Sequence, residues 1–208
     1  MSEQGSDEWF ELRRGRATAS RFSDVLAGGK EQKSRTGYRN QLVLERLTGQ
    51  VAESFRNKHT DRGTEQEPFA RMAYEAETGY MVDRSGFIPH QSLMAGGSPD
   101  CMVNSDGGVE IKCVMPLVQF ATIDTGGMPA EHIPQVQGLM WITDRMWWDF
   151  VSYSPTLPEN LQLYIHRVYR DEKYIRDLEF KMIVFLLDVE TSVNLRTNWR
   201  LQFTGGLN

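Results

Sequence analysis

Two cysteines, Cys101 and Cys113, are all that the 208 residues contain. Two are too few for a disulfide framework, a cysteine-only zinc site or a four-cysteine iron–sulfur cluster, and both read as small buried apolar residues. Long hydrophobic runs are also missing: nothing approaches the ~20 residues of a membrane span. The polar, acidic stretch Met1–Asp7 has neither the basic region nor the apolar core of a secretory signal, so the chain reads as intracellular. A P-loop is absent. Gly28-Gly29-Lys30 comes nearest, but Asp24 stands where the first glycine belongs and Glu31 where Ser or Thr belongs. There is no Gly-x-Ser-x-Gly elbow and no His-x-x-x-His pair. His59, His90, His132 and His166 are scattered, which fits structural or surface roles better than zinc ligation. Net positive charge is lacking as well. Twenty-three Lys and Arg against 28 Asp and Glu leave −5, which excludes a uniform basic coat but not a local basic site.

What is present suits one folded domain over residues 1–208, with 1–6 and 196–208 as peripheral tails. Apolar residues make up 40% and charged residues 25%, ordinary values for a chain with a sizeable core. The charge is unevenly placed. Residues 13–58 hold eleven basic side chains against four acidic ones, a local +7 that leaves −12 for the remainder. Such a division fits a face built for an anionic partner; it equally fits a set of solvated helix faces.

The apolar pattern predicts helices first. Ser6-Asp7-Glu8 caps a short helix carrying Trp9 and Leu12, ended by Gly15. Thr18-Ala19-Ser20 offers cap hydroxyls to a second helix with Phe22, Val25 and Leu26, closed by Gly28-Gly29. A third helix is predicted over Thr36–Leu47, with Tyr38, Leu42 and Leu47 inward. Residues 50–62 read as loop. A fourth helix, Thr64–Thr78, would bury Phe69, Met72, Ala73 and Ala76. Beyond Tyr80 the period shortens. Strands are predicted at Met81–Ile88, Leu93–Val103 (broken at Gly96-Gly97) and Val109–Val114, the last two joined by a turn at Asn104–Gly108. A helix over Glu131–Thr143 precedes strands Met146–Tyr153 and Leu161–Val168. The last helix, Asp171–Val193, carries one stripe of Ile175, Leu178, Met182, Phe185, Leu186 and Val189. The sum is an α/β fold with a central mixed sheet of about five strands flanked by helices.

One segment carries chemistry. Ser98-Pro99-Asp100 precedes Glu110-Ile111-Lys112 by nine residues. On a strand, Glu110 and Lys112 share one side while Val109, Ile111 and Cys113 face the other. The turn between folds Asp100 back beside Glu110. Two carboxylates a few ångströms apart repel unless a proton or cation lies between them, and oxygen-only ligands suit Mg²⁺ or Mn²⁺. Three other acid-x-Lys triplets, beginning at Glu31, Asp171 and Glu179, fall in polar or helical contexts where i and i+2 do not share a face. The same residues also fit a surface hairpin with an ordinary cross-strand ion pair.

The sequence resembles the lambda-type alkaline exonucleases, the YqaJ-like viral recombinase branch of the PD-(D/E)XK nuclease superfamily. The resemblance runs from about Trp9 to Glu179 and rests on blocks in the family's order: Trp9–Gly15 with Thr18-Ala19-Ser20; Gly63 with Glu67; Ser98-Pro99-Asp100; Glu110–Cys113; and Gln135-Val136-Gln137 leading to Met140-Trp141, with Arg170–Tyr174 also similar. It implies a restriction-endonuclease-like core and an enzyme that digests linear double-stranded DNA from 5′ ends to mononucleotides. The 3′ tail left behind would pass to a single-strand annealing protein. The resemblance further implies Mg²⁺, with Mn²⁺ able to stand in, a ring-shaped homotrimer, and the cytoplasm of a bacterial host, the chain being of phage or prophage origin. By motif, Asp100, Glu110 and the backbone carbonyl of Ile111 would hold metal, and Lys112 would be the catalytic lysine. Glu67 and Gln137 would complete the site, while Arg13 and Ser20 would bind the substrate's 5′-phosphate. Gln135, Arg14, Arg35 and Arg39 are candidate DNA contacts. Taken alone, Arg13 also fits a cap on its own helix's C-terminal end, and Glu67 fits a first-turn acid equally well. An endonuclease of the same superfamily, or a silent recombination scaffold, are the alternative functions. End recognition through Arg13 and Ser20 opposes the first, and the acid–lysine set opposes the second.

Overall fold

Helix α1 (Asp7–Arg13) leads through a two-residue strand, β1 (Ala17–Thr18), and a 3-10 turn into α2 (Phe22–Leu26). Helices α3 (Gln32–Thr48) and α4 (Lys58–Thr78) follow. Next come β2 (Val82–Arg84), β3 (Ile88–Pro89), β4 (Ala95–Gly97), β5 (Cys101–Val103) and β6 (Gly107–Cys113). The chain continues with α5 (Pro116–Thr125), α6 (Ile133–Thr143), β7 (Trp147–Tyr153), α7 (Glu159–Gln162), β8 (Leu163–Tyr169) and α8 (Glu172–Thr197). This computed structural model describes residues 5–51 and 58–199, the side chains of 58–64 excepted. Arg56, counted in the basic stretch, and most of the expected tails lie outside the described residues.

The main sheet has the order β2-β5-β6-β7-β8, with β6 and β7 parallel and every other pair antiparallel. The mixed α/β reading holds. A small second sheet, β1-β4-β3, was not anticipated; it divides the strands expected over Met81–Ile88 and Leu93–Val103 between two sheets. Parallel pairing of β6 with β7 demands a crossover, supplied by α5 and α6. The sequence reading had placed no helix at 116–125, where Pro116 opens α5 at its first turn.

Helices cover both faces. On one, α2, α3, α6 and α8 bury Phe22, Leu42, Leu139, Met140, Leu178, Met182 and Phe185 with Trp148. On the other, Ala70 and Tyr74 of α4 pack on Val109, Ile111, Trp147 and Val151. The α8 stripe is buried as expected at all six positions. Two helices differ from expectation. Helix α3 begins at Gln32, and Leu47 near its end is 42% exposed. In α4 the expected inward residues Phe69 and Met72 are 61% and 62% exposed, because Ala70 and Tyr74 on the opposite side face the sheet. That helix also begins at Lys58 rather than Thr64, and residues 52–57 of the predicted loop lie outside the described residues.

Gly107 and Gly108, expected as turn, open β6 instead. Their partners in register are Trp147 and Trp148, and a Cβ on either glycine would lie within 2.4 Å of an indole atom. The two bare positions let the indoles lie across β6.

Candidate active site

The β5–β6 hairpin sets the geometry. Its turn uses Asn104 in the left-handed region, and Arg145 donates to the carbonyl oxygens of Val103, Asn104 and Gly107, which pins the reversal. Strand β5 pairs with β6 only as far as Cys101 opposite Val109. One residue earlier, the Asp100 side chain takes over from the backbone: its Oδ2 accepts the Ile111 N–H at 2.6 Å. Within a strand the N–H and C=O of one residue point to the same edge, so the Ile111 carbonyl also projects toward Asp100.

Glu110 is only 2% exposed. Its Oε1 accepts from Lys112 Nζ at 2.6 Å and from Gln135 Nε2 at 2.6 Å, and Lys112 Nζ also donates to Gln135 Oε1 at 3.3 Å. The other oxygen, Oε2, is buried with no hydrogen-bond partner among the described residues. A buried carboxylate oxygen without a donor costs about 1–3 kcal/mol or more, so this atom favours a further partner such as a cation.

The electrostatics agree. Burial first, and then Glu110, pushes the Asp100 carboxyl well above its ordinary value. Burial acts to lower the Lys112 ammonium, but Glu110 and Asp100 outweigh it and hold the group above its usual pKa. Glu67 is raised by burial, an effect that Arg84 and Arg71 oppose; Glu110 and Lys112 also act on it, so α4 brings Glu67 into the field of the cluster. The Asp100 and Glu110 carboxylates, the latter with one oxygen unpartnered among the described residues, and the Ile111 carbonyl form an all-oxygen donor set that fits a hard divalent cation. Among the described residues, no three His, Cys, Asp or Glu side chains are gathered closely enough to hold a metal unaided. The Ile111 carbonyl, water or substrate oxygens would therefore complete the shell.

Lys112 and Gln135 open onto a cleft of about 280 Å³ that Ser20, Ser23, Glu131 and His132 also line. Ser20, expected at a helix N-terminus, instead lies in the 3-10 turn ahead of α2, and no side-chain cap is made there by Thr18. Arg13 lines a separate, smaller cavity with Arg16, Arg21, Tyr38 and Gln41. The 3-10 turn and β1 separate the two: Thr18 lines the Arg13 cavity and Ala19 the cleft. Arg13 lies over the Trp9 ring at 4.6 Å, and Trp9 Nε1 donates to Ser98 Oγ at 2.9 Å, a link from α1 to the segment that carries Asp100. Arg13 forms no ion pair among the described residues, and burial lowers its pKa.

The structure does not bring every candidate to the cleft. Gln137 points away: its Nε2 donates to the Tyr169 carbonyl at 2.9 Å and its Oε1 accepts from the Asp171 N–H at 3.0 Å, which ties α6 to the β8–α8 junction. The glutamine at the acid cluster is Gln135. Arg14 pairs with Glu11 at 2.8 Å, and Arg35 with Asp188 at 2.7 Å on the seam between α3 and α8. Arg39 donates to Asn40. His132, expected in a structural or surface role, lines the cleft. It stacks on Phe150 at 5.2 Å, and burial, with Lys112 nearby, lowers its pKa to about 4. Its spacing of three from Gln135 at the start of a helix was the available signal.

A β-hairpin acid pair, a lysine on the same strand and a mixed five-stranded sheet define a nuclease fold of the restriction-endonuclease-like type. Residues 8–146 match the YqaJ-like viral recombinase domain, and the chain belongs to that family. Among solved structures it is similar to the alkaline exonuclease LHK-Exo from Laribacter hongkongensis. The identity is 37% over 95% of this chain and 100% of that one, with a TM-score of 0.89. LHK-Exo in complex with dAMP matches at 39% identity and a TM-score of 0.87, covering 94% of this chain and 100% of that one. A phage related exonuclease from Haemophilus somnus 129PT shares the fold, at 14% identity and a TM-score of 0.68 over 86% of this chain and 95% of that one. No curated protein matches. Family and structural likeness together support an exonuclease of the viral recombinase type.

Proposed function

We propose that the protein is a Mg²⁺-dependent exonuclease that digests linear double-stranded DNA in the 5′→3′ direction to mononucleotides, with Mn²⁺ able to replace Mg²⁺. One observation supports the metal-dependent hydrolysis: Oε2 of Glu110 is buried with no partner among the described residues, while Oε1 holds Lys112 and Gln135 at the mouth of a cleft. When bound, a divalent cation would polarise the scissile phosphate and lower the pKa of a coordinated water. Asp100, Glu110 and the Ile111 carbonyl would hold it, with Glu67 adding negative charge nearby. Lys112 keeps its proton and stands ready to stabilise the attacking or leaving oxygen. Gln135 bridges Glu110 and Lys112 and holds the ammonium in one orientation.

End preference follows from Arg13. A half-buried guanidinium that forms no ion pair among the described residues, although Glu45 acts on it within the same cavity, supports a site for a terminal phosphate; Ser20 lines the adjoining cleft. The whole chain would act as one domain in the cytoplasm of a bacterial host; among the described residues no helix is long and apolar enough to cross a membrane. Family membership supports a homotrimeric ring around the duplex and delivery of the 3′ tail to an annealing protein. Exposed Leu117, Val118 and Phe120 on α5 favour self-association.

Incubation with linear and closed-circular duplex, with and without Mg²⁺, tests the reading. Linear DNA should disappear only with Mg²⁺ and the circle should persist. Cleavage of the circle would convert the assignment to an endonuclease, and no cleavage of either would leave a DNA-binding scaffold.

A further inference from the structure

Helix α4 carries Glu67 but is thinly packed. Among its described side chains only Ala70 and Tyr74 are buried. Pro68, directly after Glu67, supplies no N–H, so the helix lacks one of its own hydrogen bonds beside the acid. The turn that presents Glu67 must therefore be oriented from elsewhere.

Tyr74 is placed to do so. It lies seven residues beyond Glu67, close to two full turns, and so shares its side of the helix. The Tyr74 ring is fully buried, and its hydroxyl donates to Asp149 Oδ2 at 2.7 Å. Asp149 is itself 1% exposed, in the middle of β7. Arg167 of β8 answers both carboxylate oxygens, Nε to Oδ1 at 2.8 Å and Nη2 to Oδ2 at 2.8 Å, with its guanidinium 3.8 Å from the Trp147 ring centroid. Asp149 stands opposite Val109 in register, and the next pair is Glu110 with Phe150. A phenylalanine at 74 would fill the same space without requiring a buried charge. The polar version fixes the rotation and height of α4 on the sheet, which apolar packing through Ala70 alone would leave loose.

We propose that Tyr74, Asp149 and Arg167 form a positioning relay that sets Glu67 against the Asp100–Glu110 cluster. The proposal rests on the reading of Glu67 as part of that site. None of the three touches the reacting atoms.

The test uses the full chain with Mg²⁺ titrated in two readouts: cleavage of linear duplex at a temperature well below unfolding and, without DNA, the rise of Tm with Mg²⁺, whose midpoint should move in the same way. Tyr74→Phe should raise the Mg²⁺ concentration for half-maximal cleavage about tenfold, the lower end of outer-shell effects on metal sites, while the KM for DNA changes little. Asp149→Asn should shift it in the same direction. Val189→Ala, a cavity in the opposite core, controls for lost stability and should leave the Mg²⁺ midpoint in place. In a Glu67→Gln background, Tyr74→Phe should add no further shift. The relay is overturned if Glu67→Gln moves the midpoint and Tyr74→Phe does not, or if Val189→Ala moves it as much as Tyr74→Phe. A Glu67→Gln protein with an unchanged midpoint would instead remove Glu67 from the site, and the relay with it.

Discussion

Lys112 Nζ and Glu110 Oε1 are 2.6 Å apart on one face of β6, with the carboxylate almost fully buried and the ammonium open to the cleft. The pair is i, i+2 on a strand, so the β6–β7 register keeps both side chains on that face. The charge on Lys112 is thus held at a fixed point beside the acids.

Lys112→Ala should reduce cleavage by about 10²–10³-fold or more, the magnitude expected when a pre-oriented charge is removed from a developing anion. The fold should survive, since Glu110 keeps its bond from Gln135. Binding to linear duplex, measured by anisotropy, should stay within a few-fold of wild type because one phosphate contact at most is lost. Near wild-type turnover would remove Lys112 from the chemistry.

Mg²⁺ should stabilise the protein, and more so as pH rises. The Asp100 carboxyl is raised by burial and then by Glu110, so its folded pKa exceeds the unfolded one. In metal-free protein its contribution is complete below the ordinary carboxylate value and is lost as pH rises through the raised value. A cation needs the ionised form, so binding expels that proton and restores what the rise in pH removed. Melting scans with and without Mg²⁺ should show a Tm increment that grows with pH above the ordinary carboxylate range, and Asp100→Asn should flatten the growth. An increment independent of pH in wild type would mean that Asp100 is not a ligand.

Gln135 and Gln137 show where the sequence stopped being legible. Both belong to one short block, and at two residues apart on a helix they face nearly opposite ways. Only the neighbouring elements decide which one meets Glu110, and they choose Gln135. The β5–β6 acid cluster was legible because it is local: alternation on a strand and a tight turn suffice to place Asp100, Glu110 and Lys112. The α8 stripe was legible because six apolar positions repeat over a long helix. The inward side of α4 was not, because its anchor is a tyrosine hydroxyl on a carboxylate 75 residues away, and apolar periodicity favours Phe69 and Met72 instead. The Arg170–Tyr174 string was seen, yet its work is structural: Arg170 donates to the Met140 carbonyl, and Asp171 caps α8 through the Lys173 and Tyr174 N–H groups.

The two glutamines should separate cleanly by mutation. Gln135→Ala should lower cleavage by about 10–100-fold, as for groups that orient a catalytic shell, with little change in Tm. Gln137→Ala should leave the acid cluster intact but cost about 1–3 kcal/mol of stability, because two backbone groups lose their buried partner. Chemical denaturation and initial rates on linear duplex distinguish them. The reverse assignment, with Gln137→Ala inactive at full stability, would place the working amide on the other side of α6.

Arg13 makes end recognition testable separately from hydrolysis. Its guanidinium lies on the Trp9 ring, and Trp9 in turn holds Ser98, two residues before Asp100, so a phosphate bound at Arg13 is held at a set separation from the acids. Burial lowers the Arg13 pKa, but a guanidinium remains charged at neutral pH, and an anion would relieve the desolvation that it bears. Linear duplex with a 5′-phosphate should therefore be digested faster than the same duplex with a 5′-hydroxyl, by about tenfold for one charge-assisted contact worth roughly 1.4 kcal/mol. Arg13→Ala should slow the phosphorylated substrate toward the rate of the hydroxyl substrate and leave the latter nearly unchanged. Arg13→Lys should recover only part of the preference, because a single ammonium cannot reproduce a bidentate fork. If Arg13→Ala retained the full preference, the phosphate would be held elsewhere, and Ser20 in the cleft would be the next position to change.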